Sequence, residues 1–266
     1  MYDNIIQSVH RAVQILSLFS CSKPRLGISE ISRALDLRKA TVQGLVRTLT
    51  RDGFLQQDQE TRKYQLGLKI YELGVILAGA LEINQKASNP AQQLAKRTRR
   101  LVHIAIPDNY SALITMDAYP RSQPFISPQF GPRAPLYCTA LGKALLAFSE
   151  KTQIDAYLQQ AELVPYTSKT ITQKEKLLRE LKEIRKRGYC VNREEHILGR
   201  AAIGAPIFGR TGYPVASICL VVDPGHFIEE KTGILVQEVM TTALEISHLM
   251  GFSNSPLFLR RVGVDS

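Results

Sequence analysis

Lys39, Thr41, Gln43 and Arg47 fall within nine consecutive residues, and all four carry groups that can hold a polyanion. A glutamine can pair with an adenine edge, and an arginine with a guanine edge or a phosphate. Lysine and threonine at a helix start suit phosphate oxygens, because free N–H groups and the positive end of the helix dipole lie there. Arg38 precedes this group. Arg62 and Lys63 follow it, where they can approach a phosphate backbone or a minor groove. Other chemistry is thinner. Five histidines (His10, His103, His196, His226, His248) are dispersed, with no H-x-x-x-H or G-x-S-x-G pattern. Glu194-Glu195-His196 is the one carboxylate–histidine cluster; no second cluster completes a metal site, so it reads as a surface loop. No cofactor is expected. Cys21, Cys138, Cys190 and Cys219 form no C-x-x-C pair and read as reduced, partly buried thiols.

The surrounding residues dictate how the basic group must be held. Val42, Leu45, Val46 and Leu49 are spaced three and four apart, so they share the opposite face of a helix that begins near Ala40. A shorter helix over residues 28–35 precedes it, across a break at Asp36-Leu37-Arg38. Two helices with so short a turn, the second basic, have the form of a helix-turn-helix whose second helix enters the major groove. After Asp52-Gly53 the period becomes two. Residues 54–57 and 63–66 read as strands joined by a polar turn, which makes the unit a winged helix. Asp58 and Glu60 sit poorly against phosphate, so the wing tip is expected to point away or contribute little. Upstream, residues 8–20 read as a helix with Val9, Ala12, Val13, Leu16 and Phe19 as its apolar stripe. Downstream, residues 68–83 read as a helix carrying Leu68, Tyr71, Ile76, Leu77 and Leu81. It is expected to serve as linker and dimer contact, since one helix-turn-helix reads only a short half-site.

From about residue 87 the pattern is mixed. Helices are expected over 89–98, 140–148, 154–162, 173–187 and 228–250, the second capped by Thr139, and strands over 101–106, 111–116, 201–208 and 215–222. A sheet flanked by helices can hold a small-molecule pocket. Lys96, Arg97, Arg99 and Arg100 form a basic cluster that reads as a solvated helix face or as a contact to flanking phosphates.

Composition agrees. The 266 residues are 44% hydrophobic and carry a formal charge of +10. The first eighty hold 11 Lys and Arg against 7 Asp and Glu, the remainder 23 against 17. Basicity is therefore spread over both halves, and local pattern must carry the nucleic-acid argument. No apolar run is long enough to span a membrane, and no secretory leader is evident. A cytoplasmic protein is expected.

The run Ile28-Ser29-Glu30-Ile31, then Leu37 to Leu49, then Tyr64-Gln65-Leu66-Gly67 resembles the IclR-type transcriptional regulators. Pro135 to Ala147, Gly188 to Glu195 and Ile203-Gly204-Ala205-Pro206-Ile207 resemble that family's effector-domain motifs. The likeness spans residues 8–251. It implies an α+β chain: an N-terminal winged helix-turn-helix (1–67), a linker and dimerisation helix (68–86), a GAF-like α/β effector-binding domain (87–251) and a tail (252–266). It also implies a homodimer or dimer of dimers on double-stranded operator DNA, repressing or activating, with affinity set by a small-molecule effector.

In such a family the pocket holds an acid after the Gly-Tyr motif, a cysteine before the Ala-Pro segment and a Ser-x-Ser pair on the last strand. Here those positions fall on Asn192, Ala202, and Cys219 with Val221, while Leu141-Gly142 is kept. Hydroxyl donors for a small carboxylate are missing, and a buried charge without partners is costly. A ligand larger or less polar than a two- or three-carbon acid is expected. The alternatives are a vestigial pocket, or ligand contacts through Arg133, Tyr137 or Arg200. Gly44 replaces a larger, often basic residue, which leaves Gln43 and Arg47 to carry more of the base preference. The enzymatic alternative is a GAF-type cysteine-dependent reductase using Cys138, Cys190 and Cys219.

Overall fold

A computed structural model describes residues 5–120, 131–226 and 229–253. Of the expected tail, residues 254–266 lie outside the described residues, as does the start of the last helix at 228. The chain forms two compact units that divide at Gly79/Ala80.

The first unit runs α1 (Gln7–Ser17), α2 (Ile28–Leu35), α3 (Lys39–Arg51), β1 (Leu55–Gln57), β2 (Tyr64–Leu66) and α4 (Leu68–Ala80). Ile15, Leu26, Ile31, Val42, Val46, Leu49 and Leu55 make its core. The Gly27 N–H donates to Glu30 Oε2 at 2.6 Å, a reciprocal cap that starts α2. Asp36 ends the helix in the left-handed region at φ 51°, a conformation aspartate tolerates better than most residues. That reversal lets three residues separate α2 from α3, and Ser32 Oγ donates to Leu37 O at 2.6 Å to hold it. β1 and β2 pair antiparallel with Leu55 opposite Leu66, and Leu26 adds a bridge to Tyr64. The stripe expected on α1 is split. Ala12, Leu16 and Phe19 pack on the core beside the buried Ile15, whereas Val9 and Val13 are exposed.

The second unit holds α5 (Glu82–Thr98), β3 (Val102–Asp108), β4 (Ser111–Ala118), β5 (Arg133–Pro135), α6 (Ala140–Phe148), α7 (Lys151–Gln160), α8 (Lys174–Arg187), β6 (Cys190–Arg193), β7 (Ala201–Phe208), β8 (Pro214–Val222) and α9 (Glu229–Leu249). The six strands form one sheet in the order β5-β4-β3-β8-β7-β6, antiparallel throughout. Alternation gives it two faces. Val102, Ile104, Ile203, Ile218 and Leu220 point to the side of α5 and α9, and pack with Leu94, Val239 and Ile246. Ala105, Cys190 and Cys219 point to the side of α6 and pack with Leu141, Ala144 and Leu145. The helix expected over 68–83 is broken at Leu81, which has extended backbone. α5 then starts seven residues before its expected beginning at 89 and runs through Pro90. A proline inside a helix removes only its own N–H bond and crowds the carbonyl four residues back; here that residue is the exposed Lys86, whose carbonyl can turn to water.

Candidate nucleic-acid interface and effector face

α3 has two sides. Val42, Val46 and Leu49 are buried. Lys39, Gln43 and Arg47, each four residues from the next, are exposed in one row, and Thr41 is half-buried, two residues from Lys39 and from Gln43 and so off that row. Arg38 is exposed at the cap position, just before the first turn. A side chain built on Gly44 would meet nothing within 4 Å, so packing does not demand glycine there. The wing is braced from within. Asp58 Oδ1 accepts from the N–H groups of Glu60 and Thr61 and from the Thr61 hydroxyl, and Asp58 pairs with Arg25 at 3.1 Å. The Thr61 hydrogen bonds are the main reason its carboxyl lies below the usual range. The acid that looked hostile to phosphate thus folds the turn. Arg62 is exposed at φ 59°, its carbonyl held by Gln57 Nε2 at 3.0 Å. Lys63 behaves differently: its ammonium pairs with Glu30 at 3.2 Å. Among the basic cluster, Arg97 pairs with Glu238 at 2.9 Å and Arg100 with Asp223 at 3.5 Å, so those two are tied to their own domain.

In the second unit, α6 starts directly over β7. The Thr139 hydroxyl caps it by accepting from Gly142 N at 3.0 Å and donates to Pro135 O at 2.7 Å. A Cβ on Gly142 would lie 2.4 Å from Leu136 Cα, and one on Gly204 2.7 Å from Ala140 O. These two glycines let helix, strand and preceding loop touch. Gly142 is consequently closed off by backbone, and its amide is already used. The first two amides of the helix, those of Ala140 and Leu141, have no partner among the described residues. From Gly204 the helix runs to Phe148, whose ring meets Phe208 at 5.3 Å. α6 itself therefore does not reach Ala202; the loop before the helix meets that end of the face instead, where Cys138 O accepts from Asn192, the strand neighbour of Ala202.

That end is defined by strand register. Asn192, Ala202 and Val221 lie side by side on β6, β7 and β8. One step toward the helix, Cys219 faces Gly204 on one side and His103 on the other, and His103 faces Asp117. Four of the expected effector residues, Asn192, Ala202, Cys219 and Val221, are thus brought together, with Leu141 buried at the helix start. Asn192 is already engaged: its Nδ2 donates to Cys138 O at 2.5 Å and its Oδ1 accepts from Glu195 N at 3.4 Å. Arg133 is occupied too, paired with Asp108 at 2.5 Å, and Tyr137 donates to Val164 O at 2.6 Å. The sequence reading missed the most polar group here. His103 Nδ1 lies 2.6 Å from Asp117 Oδ1, and the Tyr119 hydroxyl donates to Asp117 Oδ2 at 3.3 Å.

The titratable groups nearby are structural. Burial pushes the Cys190 thiol up to about 11, and the Cys138 and Cys219 thiols up to about 12. A nucleophilic cysteine needs the opposite shift. Glu194 pairs with Lys169 and Glu195 with Lys143 at 2.6 Å. No group of three or more metal-ligating side chains occurs among the described residues.

A winged helix with an exposed hydrogen-bonding row, followed by an α/β domain built on one antiparallel sheet, has the architecture of a ligand-responsive DNA-binding regulator. The chain belongs to the IclR family of transcriptional regulators: residues 8–59 match the IclR helix-turn-helix domain and 77–248 the bacterial transcriptional regulator IclR C-terminal domain. It is 29% identical over 248 residues to the HTH-type transcriptional regulator XynR of Escherichia coli, covering 93% of this chain and 98% of that one. It is 31% identical over 251 residues to KipR of Bacillus subtilis, covering 94% and 100%. Among solved structures, an IclR regulator from Alicyclobacillus acidocaldarius superposes with a TM-score of 0.82 at 25% identity, covering 93% of this chain and 100% of that one. An IclR homologue from Microbacterium hydrocarbonoxydans complexed with 4-hydroxybenzoate does so at 0.77 and 21%, covering 92% and 100%, a likeness of fold alone. No helix among the described residues is long and apolar enough to cross a membrane.

Proposed function

We propose that this regulator binds double-stranded operator DNA in the cytoplasm as a homodimer or dimer of dimers, and that an effector on the Ala202–Cys219–Val221 face changes its grip. The exposed row Lys39–Gln43–Arg47, on a helix whose other side is core, carries the reading. Gln43 and Arg47 are assigned to base edges, Arg38, Lys39 and Thr41 to phosphates, and Arg62 to the backbone beside the wing. Lys63 has the weakest claim, because Glu30 already holds it.

Self-association draws support from α4. None of its residues is buried, yet Leu68, Tyr71, Ile76 and Leu77 are 81%, 72%, 63% and 61% exposed. An apolar surface of that kind is characteristic of a protein–protein contact, and a second copy would cover it. For the effector, Ala202, Cys219 and Val221 offer apolar contact in place of hydroxyls. A ligand with a sizeable apolar body therefore fits better than a two- or three-carbon acid. The GAF-type reductase has no comparable support, since its three cysteines are held as thiols.

Footprinting on the DNA beside its own gene, with and without a metabolite panel, tests the proposal. Two protected half-sites about 10 base pairs apart, or a multiple of that, are expected. Their occupancy should fall steeply with salt and shift with at least one metabolite. Equal protection of every fragment would leave an architectural DNA-binding protein instead.

A further inference from the structure

Of the cations on or beside the wing, two are tied within the fold. Arg25 pairs with Asp58 at 3.1 Å and donates to Gln65 Oε1 at 3.2 Å. Lys63 pairs with Glu30 at 3.2 Å. Arg62 is exposed, and its guanidinium makes no hydrogen bond or ion pair among the described residues.

The backbone at Arg62 is the second observation. Between β1 and β2 it alone has positive φ, at 59°. That left-handed region is unfavourable for residues with a Cβ and favours glycine. The neighbours over-determine the conformation. The Arg62 N–H donates to Asp58 O at 3.0 Å, and the Asp58 N–H donates to Lys63 O at 2.9 Å. The Arg62 carbonyl accepts from Gln57 Nε2 at 3.0 Å. Asp58 Oδ1 closes the turn from inside, accepting from Glu60 N at 3.1 Å, Thr61 N at 2.8 Å and the Thr61 hydroxyl at 2.9 Å. Strain of this kind persists where the surroundings enforce it, and it clusters at functional positions. The backbone favours glycine at 62; what arginine adds is an unpaired positive charge.

We propose that Arg62 is a DNA contact set in place by Asp58. The Asp58 side chain locks the turn that keeps Arg62 left-handed, and the free guanidinium meets a phosphate beside the half-site. Arg62 is the contacting residue and Asp58 the positioning residue, and folding stability at position 62 is given up for affinity. The proposal rests on reading the first unit as a DNA-binding winged helix. It also reverses the sign expected of an acid near DNA. By charge alone Asp58 repels phosphate and holds Arg25 back, so removing it should tighten binding. As a positioning residue, its removal weakens binding.

The test is fluorescence anisotropy of the full chain on a labelled duplex carrying the sequence that the wild type enriches from a randomised pool. Urea midpoints of the same proteins are measured beside it. Arg62→Gly should raise the urea midpoint, because glycine relieves the strain, and yet bind the duplex more weakly. One phosphate contact fewer lowers the slope of log affinity against log salt by about 0.9, so that loss should shrink about 3.5-fold between 50 and 200 mM salt. Asp58→Ala should lose affinity and slope to a similar degree, and should cause no further loss in the Arg62→Gly background. Asp58→Asn keeps the acceptor that closes the turn and drops the charge; it should bind at least as tightly as the wild type. Thr61→Val removes a donor to Asp58 without changing charge. It should weaken binding in the same direction, and it decides the matter if Asp58→Ala does not fold. The proposal is overturned if Arg62→Gly binds as tightly as the wild type or lowers the urea midpoint, or if Asp58→Ala binds as tightly as the wild type or more so. Arg47→Ala in the same assay separates the two levels. If it weakens binding while Arg62→Gly does not, the wing contact alone falls; if the wild type enriches no sequence, the regulator reading falls with it.

Discussion

Replacing Lys143 with methionine should be among the most damaging single changes in the second unit. Lys143 lies on α6 and is 1% exposed. Its Nζ sits 2.6 Å from Glu195 Oε1 and 3.8 Å from Glu180 Oε1. Glu195 Oε2 is buried with no hydrogen-bond partner. The pair ties α6 to the segment after β6, which is also held by Thr167 and Thr170 hydroxyls donating to Glu194 O and Glu195 O. Burial pushes the Glu195 carboxyl up, and the lysine opposes that push. Without the lysine, a carboxylate already short of one partner loses its strongest one. Removing one member of a buried pair destabilises by about 3–5 kcal/mol, whereas replacing both with apolar groups is often neutral or favourable. Lys143→Met should therefore lower the unfolding free energy by about 3–5 kcal/mol, and Lys143→Met with Glu195→Leu should recover most of it. The chain has no tryptophan but 10 tyrosines, so urea unfolding is best followed by circular dichroism with tyrosine fluorescence as second probe. A loss below about 1 kcal/mol for the single variant, or a double variant no better than the single, would refute the reasoning.

Three further outcomes are expected. Gly44→Ala should stabilise α3 by up to about 1 kcal/mol, read as a shift in urea midpoint, because the space beside Gly44 is empty; destabilisation would show that glycine is needed there. In thiol titration of the native chain, Cys21 should react promptly and Cys138, Cys190 and Cys219 only on unfolding, since Cys21 alone of the four is exposed; a second fast thiol in the native state would contradict this. Burial holds the His196 imidazole below its usual value of 6.5. The folded state therefore resists protonation, and its stability is complete above 6.5 and falls as pH drops through the lowered value. His196→Gln should flatten that fall in urea midpoints measured on either side of 6.5, and an unchanged slope would assign it to other groups.

The helix-turn-helix was legible because its signals are local. Apolar residues three and four apart, an Asp-Leu-Arg break and a hairpin of period two all fall inside forty residues. The linker was less legible. Leu81 and Pro90 carry no periodic signal that separates a break from a continuation, so the helix expected over 89–98 misses the first turns of α5. β5 and β6 escaped because three- and four-residue edge strands are too short to show alternation. The effector face was half legible. Positions on β6, β7 and β8 could be aligned with family motifs, but His103 and Asp117 are fourteen residues apart on adjacent strands and meet only through register. A histidine counted as dispersed is thus half of a buried histidine–carboxylate pair. Leu141 and Gly142 show the converse: their motif is kept, yet Gly142 serves packing of the helix against Pro135 and Leu136.

The central claim is that α3 reads bases. Selecting bound DNA from a randomised pool with the wild type and with Arg47→Ala tests it most directly. The wild type should enrich a two-fold symmetric sequence. Arg47→Ala should lose preference at one base position in each half-site while keeping the others, with a loss of about 1–3 kcal/mol at that position. An identical enriched sequence from both proteins, or none from the wild type, would contradict the account.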